Sequence, residues 1–147
     1  MRNVTSLLAG AVLAAALSTN ASADVERKRN CSESLVRGTY AGQLSGKQTL
    51  PDGTVQDIIG VVIRLYDGNG GVVQSDNVKN SQTGYTPDRF GLGTYRVNDD
   101  CTVDIEFHPV PTVTIRERAV IVDEGRELRS ITVLPVGLFV TSVQQRI

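Results

Sequence analysis

Turn-forming clusters cut this chain into short pieces, and nothing constrains its fold more. They fall at Pro51-Asp52-Gly53, Asp67-Gly68-Asn69-Gly70-Gly71, Asn98-Asp99-Asp100, Pro109-Val110-Pro111, Asp123-Glu124-Gly125 and Pro135-Val136-Gly137. The runs between them are rich in Val, Ile, Thr and Tyr. Short β-prone runs at this spacing point to an all-β sandwich or barrel. Eight strands are expected, near 36–46, 55–66, 71–79, 90–97, 101–108, 111–122, 127–134 and 137–146. No segment carries a helical period. Most connections are tight, so neighbouring strands should form antiparallel hairpins. Eight such strands can close into an up-and-down barrel, which removes exposed sheet edges. A β-sandwich is the alternative, but its crossovers need long connections. One long segment stands out, Asn80 to Arg89, and it is the expected lid or rim element.

The first 23 residues read as a signal peptide. A short positive start precedes an apolar run, Leu7 to Leu17, and Ala21-Ser22-Ala23 is a small-x-small cleavage site. The apolar run is too short for a membrane span, which needs about 20 residues. The expected organisation is a signal peptide over 1–23, a tethered N-terminal segment over 24–35 and one barrel domain over 36–147. The expected address is secreted or periplasmic, with no transmembrane span in the mature chain. Cys31 and Cys101, the two cysteines, should pair in an oxidising compartment. Their bridge would pin the N-terminal segment to the middle of the fold. The chain-entropy model values such a loop at roughly 4 kcal/mol, as an upper figure.

Loss of the leader removes one basic residue, Arg2, from the chain's 15 and none of its 16 acidic ones. The mature chain is therefore mildly acidic, which argues against nucleic acid as a partner. Twelve of the 15 basic residues are Arg, which suits ion pairs of fixed geometry.

"GTY" at 38–40, "YDGNGG" at 66–71 and "GTYRVNDDCT" at 93–102 resemble pieces of small exported bacterial barrels of the calycin or allene-oxide-cyclase-like type. The resemblance covers residues 38–102 and implies a calycin-like barrel, a fold that hosts binders and isomerases alike. The chain departs from true lipocalins. It has no Trp, hence no Gly-x-Trp signature, and no C-terminal helix is expected.

Chemistry must then be sought in a site. Zinc wants four Cys, His or carboxylate ligands, and one His with two bridged cysteines does not supply them. Asp67 and Asn69 open like a calcium loop, but the later acidic ligands are missing. No metal and no cofactor is expected. No Gly-x-Ser-x-Gly elbow accompanies the single histidine, His108.

The strongest pattern is "CTVDIEFHPVPTVTIRERAVIV", Cys101 to Val122. Val103, Ile105 and Phe107 fall on one side, and Asp104, Glu106 and His108 on the other. After the Pro-Val-Pro corner, Arg116 and Arg118 share one parity while Ile115, Ala119 and Ile121 share the other. If the apolar side is inside, Ile59, Val61, Ile63 and Leu65 from strand two join it. The charges then form solvated cross-strand ladders. Burying them would cost several kcal/mol each, so this arrangement is favoured. If the charged side is inside, Glu106, Arg116, Arg64 and Tyr66 line a polar pocket.

Three functional classes remain open. The first is a binding module for a small, partly apolar ligand, with Arg64, Arg116 and Tyr40 as contacts. The second is a cofactor-free isomerase or cyclase whose acid–base pair comes from Glu106, His108, Tyr66 and Tyr95. The third is a protein-interaction or inhibitor module. Strand two and strands seven and eight are apolar on both faces, which calls for a second covering surface. A homo-oligomer built through strands near 58–65 and 131–143 would provide it, and so would a membrane or partner surface.

Overall fold

The computed structural model describes residues 31–147. The expected signal peptide and most of the 24–35 segment lie outside the described residues. The eight strands are β1 (Gly38–Thr49), β2 (Val55–Tyr66), β3 (Gly71–Asn80), β4 (Gly84–Val97), β5 (Thr102–Val110), β6 (Val113–Val122), β7 (Glu127–Leu134) and β8 (Leu138–Arg146). Each pairs antiparallel with its sequence neighbour, and β8 pairs back onto β1 from Tyr40↔Arg146 to Gln48↔Leu138. The sheet is thus a closed up-and-down barrel, not a sandwich. Two short 3₁₀ turns, Glu33–Val36 and Asp123–Gly125, are the helical elements of the described residues.

The hairpin turns alternate between the two ends. At one end, here the base, lie the turns 67–70, 98–101 and 123–126, the 3₁₀ turn Glu33–Val36 and the C-terminus. The base is packed solid. Tyr40, Tyr66 and Tyr95 stack edge to face, with centroids 5.3 and 5.0 Å apart, a favoured geometry for aromatic rings. Val36, Val72, Val103, Ile105, Phe107, Ala119 and Leu128 complete the core. Two of the three phenol groups, those of Tyr95 and Tyr40, fasten the base turns. Tyr95 donates to the Glu33 carbonyl at 3.1 Å and accepts from the Gly68 N–H at 3.0 Å. Tyr40 donates to the Gly125 carbonyl and accepts from Arg146 Nη2 at 2.8 Å. Cys31 and Cys101 are bridged beside them.

Glycine sets the curvature. A Cβ at Gly46 would lie 1.9 Å from the Phe139 carbonyl oxygen, and one at Gly93 would lie 2.1 Å from that of Glu106. Only glycine lets β1 and β4 bend that closely over their neighbours.

The structure differs from the sequence reading in two places. The segment 80–89 is not a lid. β3 and β4 run through it and leave a tight turn at 81–83. Pro87 and Asp88 are absorbed in a bulge opposite Asn77, with Asp88 at φ 47°, and a bulge is where a sheet tolerates proline. On β2 the inward parity is the reverse of the favoured one. Gln56, Ile58, Val62, Arg64 and Tyr66 are buried, while Ile59, Val61, Ile63 and Leu65 stand outside, each about half exposed. The aromatic ring of Tyr66 fills the base, and register then carries Arg64 inward with it.

Candidate ligand-binding cavity

Above the tyrosine layer the barrel is not filled. A cavity of about 470 Å³ opens at the end formed by the turns 50–54, 81–83, 111–112 and 135–137. Its walls are largely apolar: Leu44, Ile58, Val78, Phe107, Ile115 and Val140. The size and lining suit a small organic molecule.

The floor is charged. Arg64 on β2 and Glu117 on β6 are 2 % and 8 % exposed. They form a two-pronged ion pair, Nη1 to Oε2 at 2.8 Å and Nη2 to Oε1 at 2.7 Å. The fork of a guanidinium matches a carboxylate in this way. Arg64 Nε donates to Gln74 Oε1 at 2.6 Å, and Gln74 Nε2 donates to Asp76 Oδ2 at 2.5 Å. Asp76 receives Arg89 Nε at 2.6 Å and Nη2 at 3.0 Å. Ser130 Oγ donates to Glu117 at 2.8 Å and meets Ser142 Oγ at 2.8 Å, which accepts from Gln144. Three neighbouring strands on one side of the barrel, β2, β3 and β4, and three on the other, β6, β7 and β8, are tied through this network.

Local sequence puts these groups here. Gln74 and Asp76 alternate with Val73 and Ser75 on β3, so they face inward with Val72 and Val78. The bulge in β4 brings Arg89 opposite Asp76. A register shift between Arg116 and Glu117 lies beside the inward Glu117, and bulges commonly re-aim a side chain in this way.

The electrostatics follow from burial and pairing. Burial pushes the Glu117 carboxyl up. The Arg64 guanidinium and the Ser130 hydroxyl outweigh it and hold the group below the usual range. Burial disfavours the charge on Arg64, but Glu117 overrides it and keeps the guanidinium firmly protonated. The Tyr66 phenol is pushed up to about 12 by burial, which the neighbouring Arg64 only partly opposes. Burial likewise raises Tyr40 and Tyr95.

The expected site residues separate into three places. Arg64 lines the cavity. Tyr40, Tyr66 and Tyr95 sit in the base, beneath the floor, and do not line it. Glu106, His108 and Arg116 lie on the outer face. There Arg116 Nε donates to Glu106 at 2.6 Å, and His108 Nε2 is 3.5 Å from Glu106. Arg118 pairs with Asp104 at 2.6 Å on the same surface. The barrel wall therefore keeps Glu106 and His108 apart from Tyr66 and from the cavity. The sequence reading missed Glu117, Asp76, Gln74 and Arg89. Their signal was present: each carboxylate or amide stands on the apolar parity of its strand.

Among the described residues, no group of three His, Cys, Asp or Glu side chains is placed to hold a metal ion. No helix among them is long and apolar enough to cross a membrane.

No family model matches the sequence, and no curated protein matches it. Two solved structures are similar in outline. One is the S-type phycobiliprotein lyase CPES from Guillardia theta, with a TM-score of 0.43 and 8 % identity, covering 78 % of this chain and 90 % of that one. The other is Rv2717c from M. tuberculosis, with a TM-score of 0.38 and 15 % identity, covering 78 % and 94 %. At such scores the likeness bears on neither ligand nor reaction, and the functional reading rests on the cavity itself.

Proposed function

We propose that the protein is an exported binding module that holds a small, partly apolar ligand in the open end of its barrel. One observation carries this reading. The barrel has a packed base but an unfilled upper half, walled by apolar side chains over an ordered polar floor. An eight-stranded barrel has just enough width to be filled by its own side chains or to hold one small ligand. Here the residues that would fill it are missing.

Export is part of the proposal. The leader-like segment at 1–23 and the Cys31–Cys101 bridge both support an oxidising destination. So does the resemblance of the motifs at 38–40, 66–71 and 93–102 to those of small exported barrels.

Binding is tested with N-phenylnaphthylamine, an uncharged dye that brightens in apolar cavities. Saturable brightening is expected, and it should vanish in Val140→Phe/Ile115→Phe, which fills the cavity. Failure to brighten, or brightening that survives the filling, would refute the reading.

Self-association belongs to the same proposal. β2 presents Ile59, Val61, Ile63 and Leu65 outward, and Ile131, Val133, Phe139 and Val143 are also about half exposed or more. Exposed apolar surface of this extent is what copies of a chain commonly bury against each other. Sedimentation equilibrium of the mature protein should give a mass above one chain, reduced to one chain by Val61→Lys/Ile63→Lys. A single-chain mass at high concentration would remove this element and leave the cavity untouched.

A further inference from the structure

The floor of the cavity has an uneven supply of hydrogen-bonding groups. A carboxylate offers about four acceptor sites. Glu117 has three filled, by Arg64 Nη1, Arg64 Nη2 and Ser130. Asp76 has three filled, by Gln74 Nε2, Arg89 Nε and Arg89 Nη2. Asp76 is also 1 % exposed, whereas its partner Arg89 is 34 % exposed. A guanidinium has five N–H donors, and Arg89 uses two on Asp76. Three remain, on the most exposed of the four charged groups that line the floor. Each carboxylate keeps about one acceptor site, on a side chain 8 % exposed or less, while the three donors that remain sit on the more open Arg89.

The charges of the floor cancel. Arg64 is matched by Glu117 and Arg89 by Asp76, so no cation is left over. An anion entering this apolar-walled space would lose its hydration without gaining an uncompensated partner, which is unfavourable. A neutral acceptor keeps the donor contacts and avoids that loss. A ligand without any acceptor leaves the Arg89 donors uncovered when it displaces water from them.

We infer that the cavity selects an uncharged, mainly apolar molecule bearing a carbonyl-type oxygen, a ketone, ester or lactone, with that oxygen turned toward Arg89. This rests on the reading of the cavity as a ligand site and specifies which ligand class enters it. Arg89 is then the specificity-determining residue. Asp76 and Gln74 are positioning residues that hold its guanidinium at the floor.

The test is displacement of N-phenylnaphthylamine from the mature protein. Four competitors of equal carbon count are compared: a medium-chain methyl ketone, the n-alkane, the carboxylate and the primary ammonium. The ketone should bind about tenfold or more tighter than each of the others, the scale of one hydrogen bond to a charged group. In Arg89→Leu/Asp76→Leu, which removes both charges together, the ketone should fall to the level of the alkane while the dye still binds. Arg89→Lys, which keeps the charge and loses the fork, should give an intermediate preference.

A carboxylate that binds tightest would overturn the inference, as would a ketone no better than the alkane. A ketone preference that survives the double substitution would overturn the role of Arg89. Each of these leaves dye binding intact. Loss of dye binding in the unaltered protein is a different failure, that of the cavity reading itself.

Discussion

The Arg64 guanidinium and the Glu117 carboxylate meet through two parallel hydrogen bonds of 2.8 and 2.7 Å across the middle of the barrel. The two residues are 53 positions apart and come from β2 and β6, on opposite walls. The pair separates the tyrosine base from the open cavity, so it is both the lid of the core and the floor of the site.

Breaking this pair from one side should be costly. Glu117→Leu leaves a buried guanidinium without its counter-charge, which typically destabilises by about 3–5 kcal/mol. Arg64→Met/Glu117→Leu removes both charges and replaces them with apolar groups of similar volume. It should recover at least half of that loss, the remainder reflecting Gln74, whose Oε1 loses its donor. Urea unfolding of the three proteins checks the order. A double variant no more stable than the single one would show that the pair is not the source of the effect.

Acid should weaken the fold through the same carboxylate. Glu117 is held below its ordinary range in the folded protein, while an unfolded Glu titrates near about 4.3. The sign follows directly: a group with a depressed folded pKa stabilises fully above the unfolded value, and that contribution disappears as pH falls through the folded value. Unfolding free energy should therefore drop below about pH 4, and drop less steeply in Arg64→Met/Glu117→Leu. Asp67, Asp100 and Asp104 are also depressed, but they are unchanged in both proteins. The difference between the two pH profiles isolates Glu117, and superimposable profiles would count against its role.

The bridge at the base should matter for stability and not for the cavity. Cys31 and Cys101 are separated by 70 positions, and the loop-entropy model gives an upper value of about 4 kcal/mol. Cys31→Ser/Cys101→Ser should lower the urea midpoint strongly. Dye affinity below that midpoint should stay within about twofold, because the bridge lies at the end remote from the mouth. Equal loss of dye affinity in the folded variant would mean that the base and the mouth are coupled.

Strand count, hairpin pairing of neighbours and most boundaries were legible from turn chemistry and alternation, because both report on local backbone geometry; closure of β8 onto β1 is a long-range pairing and was not. The inward face of β5 and β6 was legible too: Val103, Ile105 and Phe107 are buried, and Glu106 and Arg116 pair outside. β2 was not legible by hydrophobicity, since Ile59, Val61, Ile63 and Leu65 are as apolar as the face that is buried. What decides its direction is long-range. Tyr66 must join Tyr40 and Tyr95, and Arg64 must find Glu117, and neither contact is visible in one strand. Glu117 was overlooked between Arg116 and Arg118 because it reads as part of a charge run. Its parity, shared with Ile115, Ala119 and Ile121, was the informative feature. The 80–89 segment misled because Pro and Gly mark both loops and bulged strands.

Closure of the barrel depends on a glycine on β1, and its replacement offers a direct check on the seam. Gly46 faces Val140 in the β1–β8 register. A Cβ there would stand 1.9 Å from the Phe139 carbonyl oxygen and 2.7 Å from the Val140 Cα. Both are backbone atoms, so no side-chain rotation relieves the clash and the strands must part. Gly46→Ala should destabilise by about 1–3 kcal/mol or more, the range for overpacking. Ser45→Ala, one residue away and pointing outward into solvent, should stay within about 0.5 kcal/mol. Thermal melts of the two variants against the parent check the contrast. A neutral Gly46→Ala would mean that β1 and β8 lie farther apart than their paired register requires, and that the barrel is held closed elsewhere.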